Sequence, residues 1–132
     1  MGARRGFSIF DLAAADDTTV VDVAGEVDMG TGPAFQRGLL RAIGASRGGL
    51  IVDLSHATFL DSSALTSLVN AFDHLRHCGG GTLAIVASDP RMRALFEVAR
   101  LERDFLIFST RDEALAATTP SHESDTANEA LH

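Results

Sequence analysis

Apolar and polar positions change their spacing several times along the chain, and each change marks an element. Phe7–Leu12 (FSIFDL) alternates imperfectly, and Thr19–Ala24 (TVVDVA) is β-branched and apolar, so both predict strands. The polar pair Asp16-Asp17 between them predicts a hairpin turn. Gly25–Pro33 (GEVDMGTGP) predicts a loop whose Pro33 suits the first position of a helix. Phe35, Leu39, Leu40 and Ile43 then recur at helical spacing until Arg47-Gly48-Gly49 stops the run.

Leu50–Leu54 (LIVDL) is nearly continuous in apolar residues, the signature of a strand buried on both faces. A loop is expected through Phe59-Leu60. Asp61-Ser62-Ser63 then offers N-cap chemistry to a helix striped by Leu65, Leu68, Val69, Phe72 and Leu75. Cys78–Gly81 ends that helix, and Thr82–Ala87 predicts another buried strand. Asp89 and Pro90 open a third helix carrying Met92, Leu95, Phe96 and Ala99. Phe105–Phe108 predicts the last strand. Thr110–Glu113 (TRDE) has the spacing of a capping box for a short helix ending near Ala117.

The predicted order is ββαβαβαβα, which defines an α/β fold with a mixed, mostly parallel sheet. Residues 1–6 form an N-terminal extension and 7–117 the domain. Residues 118–132, acidic and poor in apolar side chains, are expected to be a disordered tail.

Composition narrows the function. The 132 residues suffice for one domain. All eleven basic residues are arginine, against eighteen Asp plus Glu, for a formal net charge of -7. Without lysine there is neither a P-loop nor a Schiff base. An acidic chain lacking Trp and Tyr does not look like a nucleic-acid binder. A lone cysteine, Cys78, fits a reducing compartment, and the apolar stretch after Arg4-Arg5 is broken too early for a signal peptide. No run is long enough to span a membrane. The expectation is a cytoplasmic protein with no membrane partner.

The chemistry concentrates in Val52–Leu65 (VDLSHATFLDSSAL), which sets Asp61, Ser62 and Ser63 just beyond a strand at a helix N-terminus. There, backbone N–H groups and the helix dipole tolerate negative charge, and functional groups gather at strand carboxyl ends. Plain helix capping explains the same residues. Two other readings compete. A serine hydrolase would use His56 as base, but the G-x-S-x-G elbow is missing. His74, His77 and Cys78 form half a metal site without a fourth ligand.

Asp61-Ser-Ser-Ala-Leu65 after Ile51-Val-Asp-Leu54, with Gly25-Glu-Val-Asp28 upstream, resembles the STAS domain. More narrowly, it is similar to the bacterial anti-sigma factor antagonists. The resemblance spans Phe7 to Ala117 and departs from the family pattern at Ala64, where Gly is usual. It implies a STAS-type single domain with no catalytic residue, cofactor or metal. It also implies phosphorylation of Ser62 by an anti-sigma factor that is a serine kinase of the histidine-kinase ATPase type. Asp61, Ser62, Ser63, Asp28 and Thr31 would then face that partner. The unphosphorylated form would bind the anti-sigma factor and free a sigma factor; the phosphorylated form would not. The alternative within the same fold is a constitutively docking module of a transport-associated or scaffolding complex.

Overall fold

In the computed structural model, residues 7–13, 18–45, 49–77, 82–101 and 105–118 are described. They form β1 (Ser8–Ala13), β2 (Thr19–Val27), α1 (Gly32–Ala45), β3 (Leu50–Leu60), α2 (Ser62–His77), β4 (Leu83–Val86), α3 (Pro90–Val98), β5 (Leu106–Phe108) and α4 (Arg111–Thr118). This is the predicted order. The expectations for residues 1–6, the Asp16-Asp17 turn, Arg47-Gly48, Cys78–Gly81 and the tail from Thr119 lie outside the described residues.

The strands lie side by side in sequence order, β1 antiparallel to β2 and the remaining pairs parallel. Every parallel step therefore moves one strand in the same direction. Right-handed crossovers then place α1, α2 and α3 on a single face of the sheet. The cores agree with this. Leu50, Val52 and Leu54 of β3, with Leu83 and Ile85 of β4, pack among α1–α3 side chains such as Phe35, Leu68 and Phe96. The alternate residues Val20, Ile51, Ala84 and Val86 pack on Ala114 and Leu115 of α4. The period-2 pattern of a strand divides one apolar run between two helical layers.

Local contacts explain the helix positions. Gly32 opens α1 and Pro33 follows in the first turn, where an N–H lacks an intrahelical partner anyway. A Cβ on Gly38 would lie 2.5 Å from Ile9 Cδ1, so α1 approaches β1 through this gap. Asp89 caps α3 by accepting from the Arg91 N–H at 2.9 Å. The capping box at α4 is offset by one residue. Thr110 Oγ1 accepts from the Glu113 N–H at 3.2 Å, while Glu113 reaches back to the N–H of Ser109, also at 3.2 Å.

Two boundaries differ from expectation. The predicted Gly25–Pro33 loop is strand as far as Val27, and the loop expected before Leu60 is the outer half of an eleven-residue β3. Glu26 pairs with Phe59 and Val27 with Leu60. This half of β3 extends past β4, which pairs only with Leu50–Asp53. Ser55, His56, Thr58 and Phe59 are accordingly exposed, and no apolar pattern announces them as strand. Register shifts between Asp22 and Ala24 and between Gly25 and Glu26 let β3 carry extra residues against β2. Gly25 adopts φ 90° there.

Candidate functional site

The outer ends of β2 and β3 carry the two motifs singled out in the sequence, and hydrogen bonding joins them. The Asp61 N–H donates to the Val27 carbonyl at 3.2 Å, so the strand ends are tied together just before each loop begins. Gly32 and Ser63 also meet: a Cβ on Gly32 would lie 3.6 Å from Ser63 Oγ.

Asp61 is the cap of α2. Its Oδ1 accepts from the N–H groups of Ser63 at 2.9 Å and Ala64 at 3.1 Å, and from the Ser63 hydroxyl. Ser62 stands at the first helical position, exposed, and its hydroxyl makes no hydrogen bond among the described residues. Its carbonyl accepts from Thr66 Oγ1 at 3.1 Å. The neighbouring serines thus differ: one hydroxyl is spent on the cap, the other is open to solvent. Ala64 is fully buried, so the methyl group that replaces the usual Gly hydrogen lies inside the fold and away from any docking protein.

Asp28 and Thr31 fold the loop between β2 and α1. Asp28 Oδ1 accepts from the N–H groups of Gly30 at 2.9 Å and Thr31 at 3.1 Å. Thr31 Oγ1 accepts from the Asp28 N–H at 3.0 Å and donates to the Glu26 carbonyl at 2.8 Å. Side chains bonded back onto their own backbone in this way shape a turn. What the turn presents outward is Met29, 79% exposed at its tip.

Grooves flank the start of α2 on both sides. Toward α1 runs one of about 600 Å³, with Met29, Pro33, Arg37, Leu40, Ser63 and Ser67 in its walls. Toward α3 runs another of about 270 Å³, lined by Ser62, Leu65, Leu95 and Val98. Because successive helical residues are rotated by about 100°, Ser62 and Ser63 face different grooves. Sequence reading missed this apolar surround. Met29 and Val98, exposed and off the core-facing stripes, were the available signal.

The hydrolase candidate is not assembled. His56 Nδ1 lies 3.6 Å from Asp22 Oδ1, and roughly 15–20 Å of extended strand separates it from Ser62. His74 and His77 are exposed on α2, and Cys78 lies outside the described residues. Among the described residues no three His, Cys, Asp or Glu side chains are grouped to hold a metal ion.

One further charged cluster lies on the α4 face. Asp53, 4% exposed, takes Arg111 Nη2 at 2.8 Å and Nε at 2.9 Å on Oδ2, and the Ser55 N–H at 2.9 Å on Oδ1. Asp22, directly across on β2, lies 3.6 Å from the same Nη2.

The parallel sheet with its antiparallel first strand, and the paired loops at the β2 and β3 ends, define the class. Residues 10–114 match the STAS domain, and the chain belongs to that family. It is similar to an anti-sigma factor antagonist from Mycobacterium paratuberculosis, with 29% identity over 91% of this chain and 100% of that one and a TM-score of 0.80. The Bacillus cell fate determinant SpoIIAA, solved in its phosphorylated form, shares the fold at 20% identity over 83% and 98% of the two chains, with a TM-score of 0.63. So does a sulfate transporter family protein from Wolinella succinogenes, at 14% identity, 81% and 88% coverage and a TM-score of 0.68. No helix among the described residues is long and apolar enough to cross a membrane.

Proposed function

We propose that this protein is an anti-sigma factor antagonist. Unphosphorylated, it binds an anti-sigma factor that is also a serine kinase of the histidine-kinase ATPase type, and a sigma factor is released. Phosphorylation of Ser62 ends the binding. The protein works in the cytoplasm on transcription without touching DNA, and it catalyses nothing itself. ATP and magnesium belong to the kinase.

The observation that carries this reading is the contrast between Ser62 and Ser63. A kinase needs a hydroxyl that is exposed and free to be deprotonated, and Ser62 has one while Ser63 donates its proton to Asp61. The likeness to an antagonist at 29% identity supports the same role. A phosphate adds about 1.5–2 negative charges. Buried in a complex without a prepared partner, that charge costs on the order of 3–5 kcal/mol, or about two to three and a half decades of affinity.

The test mixes the purified protein with its candidate anti-sigma kinase and ATP and maps the product by mass spectrometry. One phosphate on Ser62, absent in Ser62→Ala, is expected. A phosphate on Ser63 or Thr66 alone, or none with any cognate kinase, would refute the assignment. Equal partner affinity for wild type and Ser62→Asp would favour a constitutively docking module instead.

A further inference from the structure

We infer that the groove between α1 and α2 is where this protein selects its partner: an apolar side chain of the anti-sigma factor enters between Met29, Pro33 and Leu40, and an adjacent carboxylate binds Arg37. The inference rests on the partner-switching reading and adds to it the chemistry of the segment that docks.

Charge is the first argument. The chain carries a net -7, and four of its seven described arginines are neutralised at home. Arg41, Arg76, Arg91 and Arg111 each have an Asp oxygen within 4.0 Å. Arg37, exposed on α1, has no acidic or hydrogen-bonding partner among the described residues. In an acid-rich protein an unpaired guanidinium on the wall of an apolar groove is a selective feature, because its planar fork matches a carboxylate. A second argument is Ser67. It lines the same groove, is only 5% exposed, and makes no hydrogen bond among the described residues. Its Oγ is not sealed off, so it is within reach of a group entering the groove.

Position supplies the third argument. Met29 stands at the mouth of the groove on a turn held by Asp28 and Thr31, an adaptable apolar side chain on a fixed support. Ser63 forms part of the wall, so the groove starts at the same helix N-terminus as Ser62, although Ser62 itself lines the groove on the α3 side. The α2–α3 groove offers no comparable cue, since among the described residues Asp61 is the one charged residue in its lining. An isolated small anion would find a single exposed guanidinium and nothing to hold it.

Titration calorimetry of the unphosphorylated protein with its cognate anti-sigma factor, at low and high salt, tests this. Arg37→Glu should weaken the complex 10- to 100-fold, with the larger effect at low salt. Arg76→Glu, near the far end of α2, should stay within about twofold of wild type. Melting curves confirm that both variants fold. Wild-type affinity for Arg37→Glu would overturn the role of the groove while leaving partner switching intact. Failure of the wild-type protein to form any complex would overturn both. A photo-crosslinker at Gln36 should capture a partner segment containing Asp or Glu, and capture of a segment lacking acidic residues would equally overturn the proposal.

Discussion

Arg111 and Asp53, 58 residues apart in sequence, meet at 2.8 Å beneath α4. The same guanidinium reaches Asp22, so one cation serves two carboxylates set opposite each other on neighbouring parallel strands. Without it, Asp53 would be a buried charge with only the Ser55 N–H for company. Arg111→Met should lower the unfolding free energy by about 3 kcal/mol. Urea titration measures this, and adding Asp53→Asn should restore part of the loss. A loss under about 1 kcal/mol would show that the pair does not fasten α4 to the sheet.

Gly25 belongs to the motif that points to the family, yet its reason for being Gly is conformational. At φ 90° between two register shifts it occupies a region costly for any residue with a Cβ. Gly25→Ala should destabilise the protein by about 1–2 kcal/mol, read from the denaturation midpoint.

Arg100 follows α3 at φ 63°, and its N–H donates to the Glu97 carbonyl at 3.0 Å. This is the left-handed close of a helix, a position where Gly is favoured. Arg100→Gly should stabilise the fold by about 0.5 kcal/mol despite the extra freedom of the unfolded chain, visible as a small rise in Tm.

The roles of the neighbouring site residues Asp61 and Ser62 separate cleanly. Asp61→Ala removes the cap of α2 and should cost about 1 kcal/mol. Ser62→Asp, at an exposed position with no bond to lose, should stay within about 0.5 kcal/mol of wild type while weakening the partner complex. Parallel melting and binding measurements check the pair of effects. A strongly destabilised Ser62→Asp would mean that the residue has a structural role.

Hydrogen bonds from the Arg91 N–H and then the Arg91 side chain hold the Asp89 carboxyl below its usual value of 3.8. A carboxyl depressed in the folded state contributes stability above its unfolded pKa and loses that contribution as pH falls through the folded one. Asp89→Asn should therefore remove this contribution, lowering the neutral plateau slightly and flattening the acid limb of the stability profile below about pH 4. An unchanged acid limb would exclude this contribution.

Element types and order were legible because each buried segment has its own pattern, a short continuous apolar run in Leu50–Leu54 and a 3.6-residue period from Leu65 to Leu75. The Asp61 cap was legible for the same local reason. The outer half of β3 was not, because its residues face solvent and pair only with β2, so nothing in Ser55–Phe59 needs to be apolar. The difference between Ser62 and Ser63 was equally hidden. It depends on which hydroxyl reaches Asp61 Oδ1, a matter of helix geometry that two identical letters do not encode. Arg111 reading Asp53 across 58 residues is a tertiary event with no local trace.

The cap at Asp61 has a further consequence. Its Oδ1 already occupies the N–H groups of Ser63 and Ala64. A phosphate on Ser62 would find neither of those donors free to draw it back onto the helix, and its charge would stay in water. The domain would then bear its modification as a label and not as a rearrangement. Whatever writes the phosphate and whatever erases it would meet one and the same backbone, and the memory of the switch would last as long as a single ester bond.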